Sequence, residues 1–137
     1  MIYLQQKHIE QIIEHAKAEK PNEACGLIAG TGGRAIKLYR GTNIDENKRV
    51  RYSMDPKEIL KVSREIDDND WELLAIYHSH PHSQAYPSNT DVSLAFYPDS
   101  HYVIASLIEP VTPVVRAFRI VDGQITEVEI GIVPDDD

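Results

Sequence analysis

The stretch Leu73-Leu74-Ala75-Ile76-Tyr77-His78-Ser79-His80-Pro81 sets the frame for the rest of the chain. Its apolar run reads as a buried strand over 73–80, closed where Pro81 removes the backbone donor. His78 and His80 are two apart within it, so both side chains leave the same face. They stand at the carboxyl end of the strand, directly before residues 81–89, which composition makes a loop.

Upstream, Ile9, Ile12, Ile13 and Ala16 give 5–19 the spacing of one helix face, ended by Pro21 and Asn22. Ala24 to Gly30 reads as a second buried strand, Thr31-Gly32-Gly33 as a turn, and 35–39 as the returning strand. Residues 41–54 are polar and irregular, hence a long loop. A helix starts at Asp55-Pro56, where Asp caps and Pro fits the first turn, with Ile59, Val62 and Ile66 as its buried stripe. Downstream, a short helix runs from Thr90 or Asp91 to about Tyr97. The nearly all-apolar run 102–108 reads as a strand covered on both faces. Strands over 114–121 and 125–132 follow, joined by the hairpin dipeptide Asp122-Gly123.

Bulk properties bound the function. The 137 residues suit one domain, 1–137, with the acidic end 134–137 expected to be disordered. Acidic residues outnumber basic ones 22 to 14, and the charge of -8 argues against nucleic acid, whose phosphates call for Lys and Arg. The single cysteine, Cys25, rules out an internal disulfide and reads as a small core residue. No run approaches the roughly 20 apolar residues of a membrane span, and Met1 to Gln6 lacks a signal-type core, so a cytoplasmic setting is expected.

Asp91 follows His80 after ten intervening residues, at a helix start that the loop can fold over the histidine pair. Two imidazoles and a carboxylate leave one tetrahedral position of a zinc ion open for water, the mark of a catalytic rather than a structural site. Zinc acidifies water and polarises a carbonyl; a carboxylate outside its ligand set must still move the proton. Glu23, just before the buried run 24–30, is the candidate, and Ser88 is a hydroxyl able to stabilise an oxyanion. Each residue also has a plainer reading. A lone His-x-His can simply cap a strand, Ser88-x-x-Asp91 is a helix capping box, and Glu23 taken alone is a solvated loop residue. His8, His15, His82 and His101 are read as surface or helix-end residues, with His82 alone close enough to touch a substrate.

Together, Glu23, His78-Ser79-His80-Pro81 and Ser88-x-x-Asp91 resemble the signature of the JAMM (MPN-plus) zinc metallopeptidases. Asn22-Glu23-Ala24-Cys25-Gly26-Leu27 looks like that family's amino-terminal segment, and Asn43 with Tyr52-Ser53-Met54-Asp55-Pro56 like its connecting loop. The resemblance runs from about residue 4 to 121 and implies a cytidine-deaminase-like α/β fold, a curved mixed sheet flanked by helices. It implies one zinc ion on His78, His80 and Asp91, Glu23 as general base and acid, and Ser88 as transition-state stabiliser. The short format resembles the prokaryotic branch, whose members cleave peptide or isopeptide bonds after the Gly-Gly tail of ubiquitin-like sulfur-carrier proteins. Some of these release cysteine in its biosynthesis; others are linked to phage tails. The alternative is an MPN scaffold that binds a ubiquitin-like protein without cutting it, against which stands the intact ligand set. A zinc deaminase would need a Pro-Cys-x-x-Cys motif that one cysteine cannot supply. Specificity is expected from the loops 41–54 and 81–89, which can clamp an extended tail as an added strand, with Tyr86 as a contact.

Overall fold

The computed structural model describes residues 1–136. Its elements run β1 (Ile2–Gln5), α1 (Gln6–Glu19), β2 (Cys25–Thr31), β3 (Arg34–Arg40), α2 (Pro56–Asp68), β4 (Glu72–His80), α3 (Asn89–Ser93), β5 (His101–Ser106), β6 (Val114–Val121), β7 (Gln124–Val128) and β8 (Ile130–Val133). All eight strands join one mixed sheet in the order β7-β6-β5-β4-β2-β3-β1-β8. β4 and β5, β1 and β3, and β1 and β8 run parallel; the other neighbours are antiparallel. β7 and β8 lie at opposite ends of that order with only Glu129 between them in sequence, so the sheet curls until its ends nearly meet. A curved mixed sheet flanked by helices is the architecture expected from the sequence.

Alternation along β4 sorts the core into two. Ala75 and Tyr77 pack with Ile2, Leu4, Ile12 and Ala16, beneath α1. Ile76 packs with Cys25, Leu27, Met54, Val62 and Ile66, beneath α2, and His78 and His80 share its parity. The histidine pair therefore emerges on the α2 side of the sheet, beside the loop 41–54. Asp55 caps α2 by accepting from the Lys57 N–H at 2.9 Å, with Pro56 in the first turn. At the β6–β7 turn, Asp122 and Gly123 both take positive φ (50° and 77°), the conformation that suits a two-residue hairpin.

Several features differ from the sequence reading. Ile2–Gln5 forms a strand that is too short to show a period and is stabilised by parallel pairing with β8. The expected strand 125–132 divides at Glu129, where the chain leaves β6 and crosses to β1; a change of pairing partner leaves no trace in hydropathy. α3 stops at Ser93, so Leu94 to Tyr97 lie beyond it. Residues 135 and 136 meet the start of α1. Asp135 Oδ1 accepts the Lys7 N–H at 2.7 Å in the first turn of α1, and Asp136 exchanges hydrogen bonds with the Gln5 amide at 2.9 and 3.0 Å. Free N–H groups at a helix start attract a carboxylate, which is the physical reason the end is held. Asp137 lies outside the described residues.

His8 and His15 are buried, against expectation. His8 Nδ1 accepts the Gln5 N–H at 3.3 Å, and His15 Nδ1 is hydrogen-bonded to the Tyr77 hydroxyl at 2.8 Å. Their positions on α1 face the sheet; His8 is satisfied three residues away, whereas the Tyr77 partner of His15 cannot be read from local sequence. No helix among the described residues is long and apolar enough to cross a membrane.

Candidate metal centre

β2 and β4 are antiparallel with Cys25 opposite His78. Continuing that register by two residues sets Glu23 opposite His80, on the same face as both histidines. The junction is clamped from the other face by Ser79. Its N–H donates to the Ala24 carbonyl at 3.0 Å, and its Oγ accepts the Ala24 N–H at 2.7 Å. Ser79 thus holds together the two strand ends that present the polar groups, a duty its place between two histidines does not advertise.

Asp91 reaches the histidines from the first turn of α3. Ser88 Oγ accepts the Asp91 N–H at 3.0 Å, and the Ser88 N–H donates to Asp91 Oδ2 at 2.9 Å, a reciprocal capping box. That same Oδ2 lies 3.1 Å from His78 Nε2 and 3.0 Å from His80 Nε2, while the two nitrogens are 3.1 Å apart. The capping and ligand readings of Ser88-x-x-Asp91 are therefore compatible, since one carboxylate meets both demands. Bonds of about 2.0–2.1 Å to a tetrahedral zinc ion would separate its ligand atoms by roughly 3.3 Å, close to the spacing seen. These three residues form a group able to hold a metal ion.

His80 Nδ1 is 2.8 Å from the Gln84 carbonyl, which calls for a proton on Nδ1 and turns Nε2 toward Asp91. Burial lowers the His80 imidazole, but the Asp91 carboxylate and the Gln84 carbonyl outweigh that and raise it. Burial lowers the His78 imidazole and keeps it neutral, outweighing the neighbouring Asp91 carboxylate. Burial alone would raise Asp91, but His78, His80 and the Ser88 N–H hold it well below the ordinary carboxylate range. An anionic oxygen and two imidazoles converging on one point suit a divalent cation.

Glu23 is 4% exposed, so the solvated reading does not apply. Burial, with smaller contributions from Asp91 and Asp45 and an opposing one from His80, pushes its carboxyl up to about 8. Its Oε1 has no hydrogen-bond partner among the described residues. The backbone of the same residue is pinned on both sides by the loop 41–54, its N–H donating to the Lys48 carbonyl at 2.7 Å and its carbonyl accepting from Asn43 Nδ2 at 3.0 Å. A rigidly held, desolvated carboxylate is an expensive group to keep without a task.

The surroundings complete the site. The Tyr52 ring stacks on His78 with centroids 4.6 Å apart and planes at 24°. A cavity of about 470 Å³ opens beside it, lined by Cys25, Leu27, Tyr52, Met54, Phe96 and Tyr97 among others. Cys25 itself is buried, and burial pushes its thiol up to about 12, as befits a core residue. Ser88 and His82 are exposed. Tyr86 is half-exposed, with its ring edge-on to Phe118 at 5.5 Å. Sequence reasoning missed three supports: Ser79, the Gln84 carbonyl and the Tyr52 stack. The tyrosine and methionine at 52 and 54, at the end of a mostly polar loop, were the one signal for the last.

A curled mixed sheet carrying two histidines and an aspartate, with a free buried carboxylate alongside, has the make-up of a hydrolytic metal centre. Residues 5–121 match the sequence model for prokaryotic homologs of the JAB domain, and the chain belongs to that family. It is 41% identical over 127 residues to the CysO-cysteine peptidase of Mycobacterium tuberculosis (strain ATCC 25618 / H37Rv), covering 91% of this chain and 86% of that protein. It is 32% identical over 103 residues to the desampylase of Haloferax volcanii, covering 71% and 74%. The solution structure of protein DSY2949 from Desulfitobacterium hafniense superposes with a TM-score of 0.88 at 38% identity, covering 98% of this chain and 94% of that one.

Proposed function

We propose that this protein is a zinc-dependent peptidase that hydrolyses the peptide or isopeptide bond after the Gly-Gly tail of a ubiquitin-like sulfur-carrier protein. The observation that carries the reading is the convergence of His78 Nε2, His80 Nε2 and Asp91 Oδ2 within 3.1 Å of one another on the face that bears Glu23, whose Oε1 has no hydrogen-bond partner among the described residues. The relatives named as a CysO-cysteine peptidase and a desampylase support a carrier-type substrate.

His78, His80 and Asp91 would hold one zinc ion per chain. Such an ion, when bound, supplies Lewis acidity toward water and toward the scissile carbonyl. Glu23 takes a proton from the attacking water as the new C–O bond forms, and delivers it to the amine nitrogen as the C–N bond breaks. A carboxyl pushed up by burial is suited to both halves of that transfer, contributing on the order of 10²–10⁴ in rate. Ser88 Oγ accepts the Asp91 N–H, which leaves its hydroxyl hydrogen to be donated elsewhere. It is therefore free to donate to the carbonyl oxygen as negative charge builds there. Residues 41–54 and 81–89 flank the site as the walls for an extended tail. The reading takes the chain as one domain, 1–137, working in the cytoplasm.

The test is incubation with a carrier protein whose Gly-Gly terminus is joined to cysteine or to a lysine side chain. Cleavage directly after Gly-Gly, lost with a zinc chelator and in Glu23→Gln, is expected. Zinc-loaded protein that binds such carriers but cuts none would show a scaffold instead of a peptidase.

A further inference from the structure

We infer that Tyr52 is a positioning residue that fixes the plane of the His78 imidazole for metal binding; this rests on the reading of His78 as a ligand given above. The two histidines are not held alike. His80 is oriented by the 2.8 Å hydrogen bond between its Nδ1 and the Gln84 carbonyl. His78 Nδ1 is buried with no hydrogen-bond partner among the described residues. A metal-binding imidazole ordinarily gives its second N–H to a carbonyl or carboxylate, and that bond sets the ring's rotation. The second torsion of a histidine is otherwise broad, so an unanchored ring sweeps its Nε2 away from a shared ion.

Tyr52 supplies the missing constraint. Its ring lies over His78 at 4.6 Å and 24°, a stack that any large rotation of the imidazole would break. Cys25, the cross-strand partner of His78 on β2, contributes only a small side chain beside it. The tyrosine is in turn held by its neighbours. Asn43 Nδ2 donates to the Arg51 carbonyl at 3.0 Å, and Asn43 Oδ1 accepts the Ser53 N–H at 3.1 Å, bracketing residue 52. The same Asn43 Nδ2 donates to the Glu23 carbonyl at 3.0 Å. One side-chain amide therefore registers the loop against the proton-transfer residue while Tyr52 registers it against a metal ligand. The loop 41–54 serves the centre directly, besides walling the cavity in which a substrate would lie.

Zinc affinity measured by competition with a chromophoric chelator, using the purified full chain, tests this without reference to turnover. Tyr52→Phe keeps the flat ring and is expected to bind zinc like the wild type. Tyr52→Leu keeps apolar bulk but loses the flat face, and is expected to bind zinc about 10–100-fold more weakly. Tyr52→Met, a more adaptable filler, gives the same loss if the leucine variant does not fold. Folded leucine or methionine variants with wild-type zinc affinity would overturn the inference, as would an equal loss in Tyr52→Phe, which would assign the effect to the hydroxyl. Wild-type protein that takes up no zinc would instead overturn the ligand reading on which the inference stands.

Discussion

The Ser88 backbone N–H donates to Asp91 Oδ2 at 2.9 Å, and that same oxygen faces both imidazole nitrogens. A helix cap and the candidate metal site thus share one atom. Capping fixes the carboxylate before any ion arrives, and the negative charge sits where the free N–H groups of α3 favour it.

The backbone amide, not the hydroxyl, touches Oδ2, which separates two consequences of Ser88→Ala. Losing the Oγ acceptor for the Asp91 N–H should cost about 1 kcal/mol of stability in urea denaturation. Zinc content should persist, whereas hydrolysis should fall on the order of 10²–10³-fold in kcat. A variant that keeps its kcat would remove Ser88 from the chemistry.

The Glu23 carboxyl makes metal-free protein pH-sensitive in a definite sense. Its native value of about 8 exceeds the ordinary 4.5, so between these limits the folded chain keeps a proton that the unfolded chain has released. This contribution to stability is full below about 4.5, shrinks as pH rises through about 8, and then levels off. Glu23→Gln lacks the dependence. Denaturation of metal-free protein should therefore show the variant gaining on the wild type as pH increases, by a few kcal/mol at most. Parallel stability profiles would mean that the carboxyl is solvated.

Gly26 admits no side chain. A Cβ there would run into the Tyr77 ring and the Tyr39 carbonyl, one of them backbone that cannot step aside. Gly26→Ala should destabilise by about 3 kcal/mol or more, read from the denaturation midpoint. Because β2 carries Glu23 into place, any folded fraction should also lose activity. A stable, active alanine variant would contradict the register drawn for β2 and β4.

Asp135→Ala removes the acceptor for the Lys7 N–H at the start of α1. A loss of about 1 kcal/mol is expected, the usual worth of a helix cap, with zinc binding unchanged. An unaltered midpoint would show that the tether contributes nothing.

Much of this was legible in the chain. The i, i+3, i+4, i+7 apolar spacing of α1, the Asp-Pro start of α2 and the Asp-Gly turn between β6 and β7 are local signals, and each element forms where its signal lies. The shared face of His78 and His80 and the capping box of Ser88 and Asp91 were legible for the same reason, whereas the place of Glu23 beside them was implied by the family resemblance. A two-residue step in a strand and a capping box fix directions without knowledge of the rest. What escaped depends on contacts distant in sequence. β1 exists because β8 pairs with it, 128 residues away between Ile2 and Ile130. His8 and His15 are buried because α1 lies against the sheet, and the Asp135 and Asp136 tether depends on Gln5 and Lys7 being across the fold. The Gln84 carbonyl that orients His80 is backbone, which no residue identity announces.

Metal analysis of the purified wild type, Glu23→Gln and His80→Ala, each assayed in parallel for cleavage after Gly-Gly, addresses the central claim most directly. About one zinc per chain is expected in the first two, with activity only in the first, and neither zinc nor activity in the third. Wild-type protein stripped of metal that still cleaves at its full rate would contradict the account.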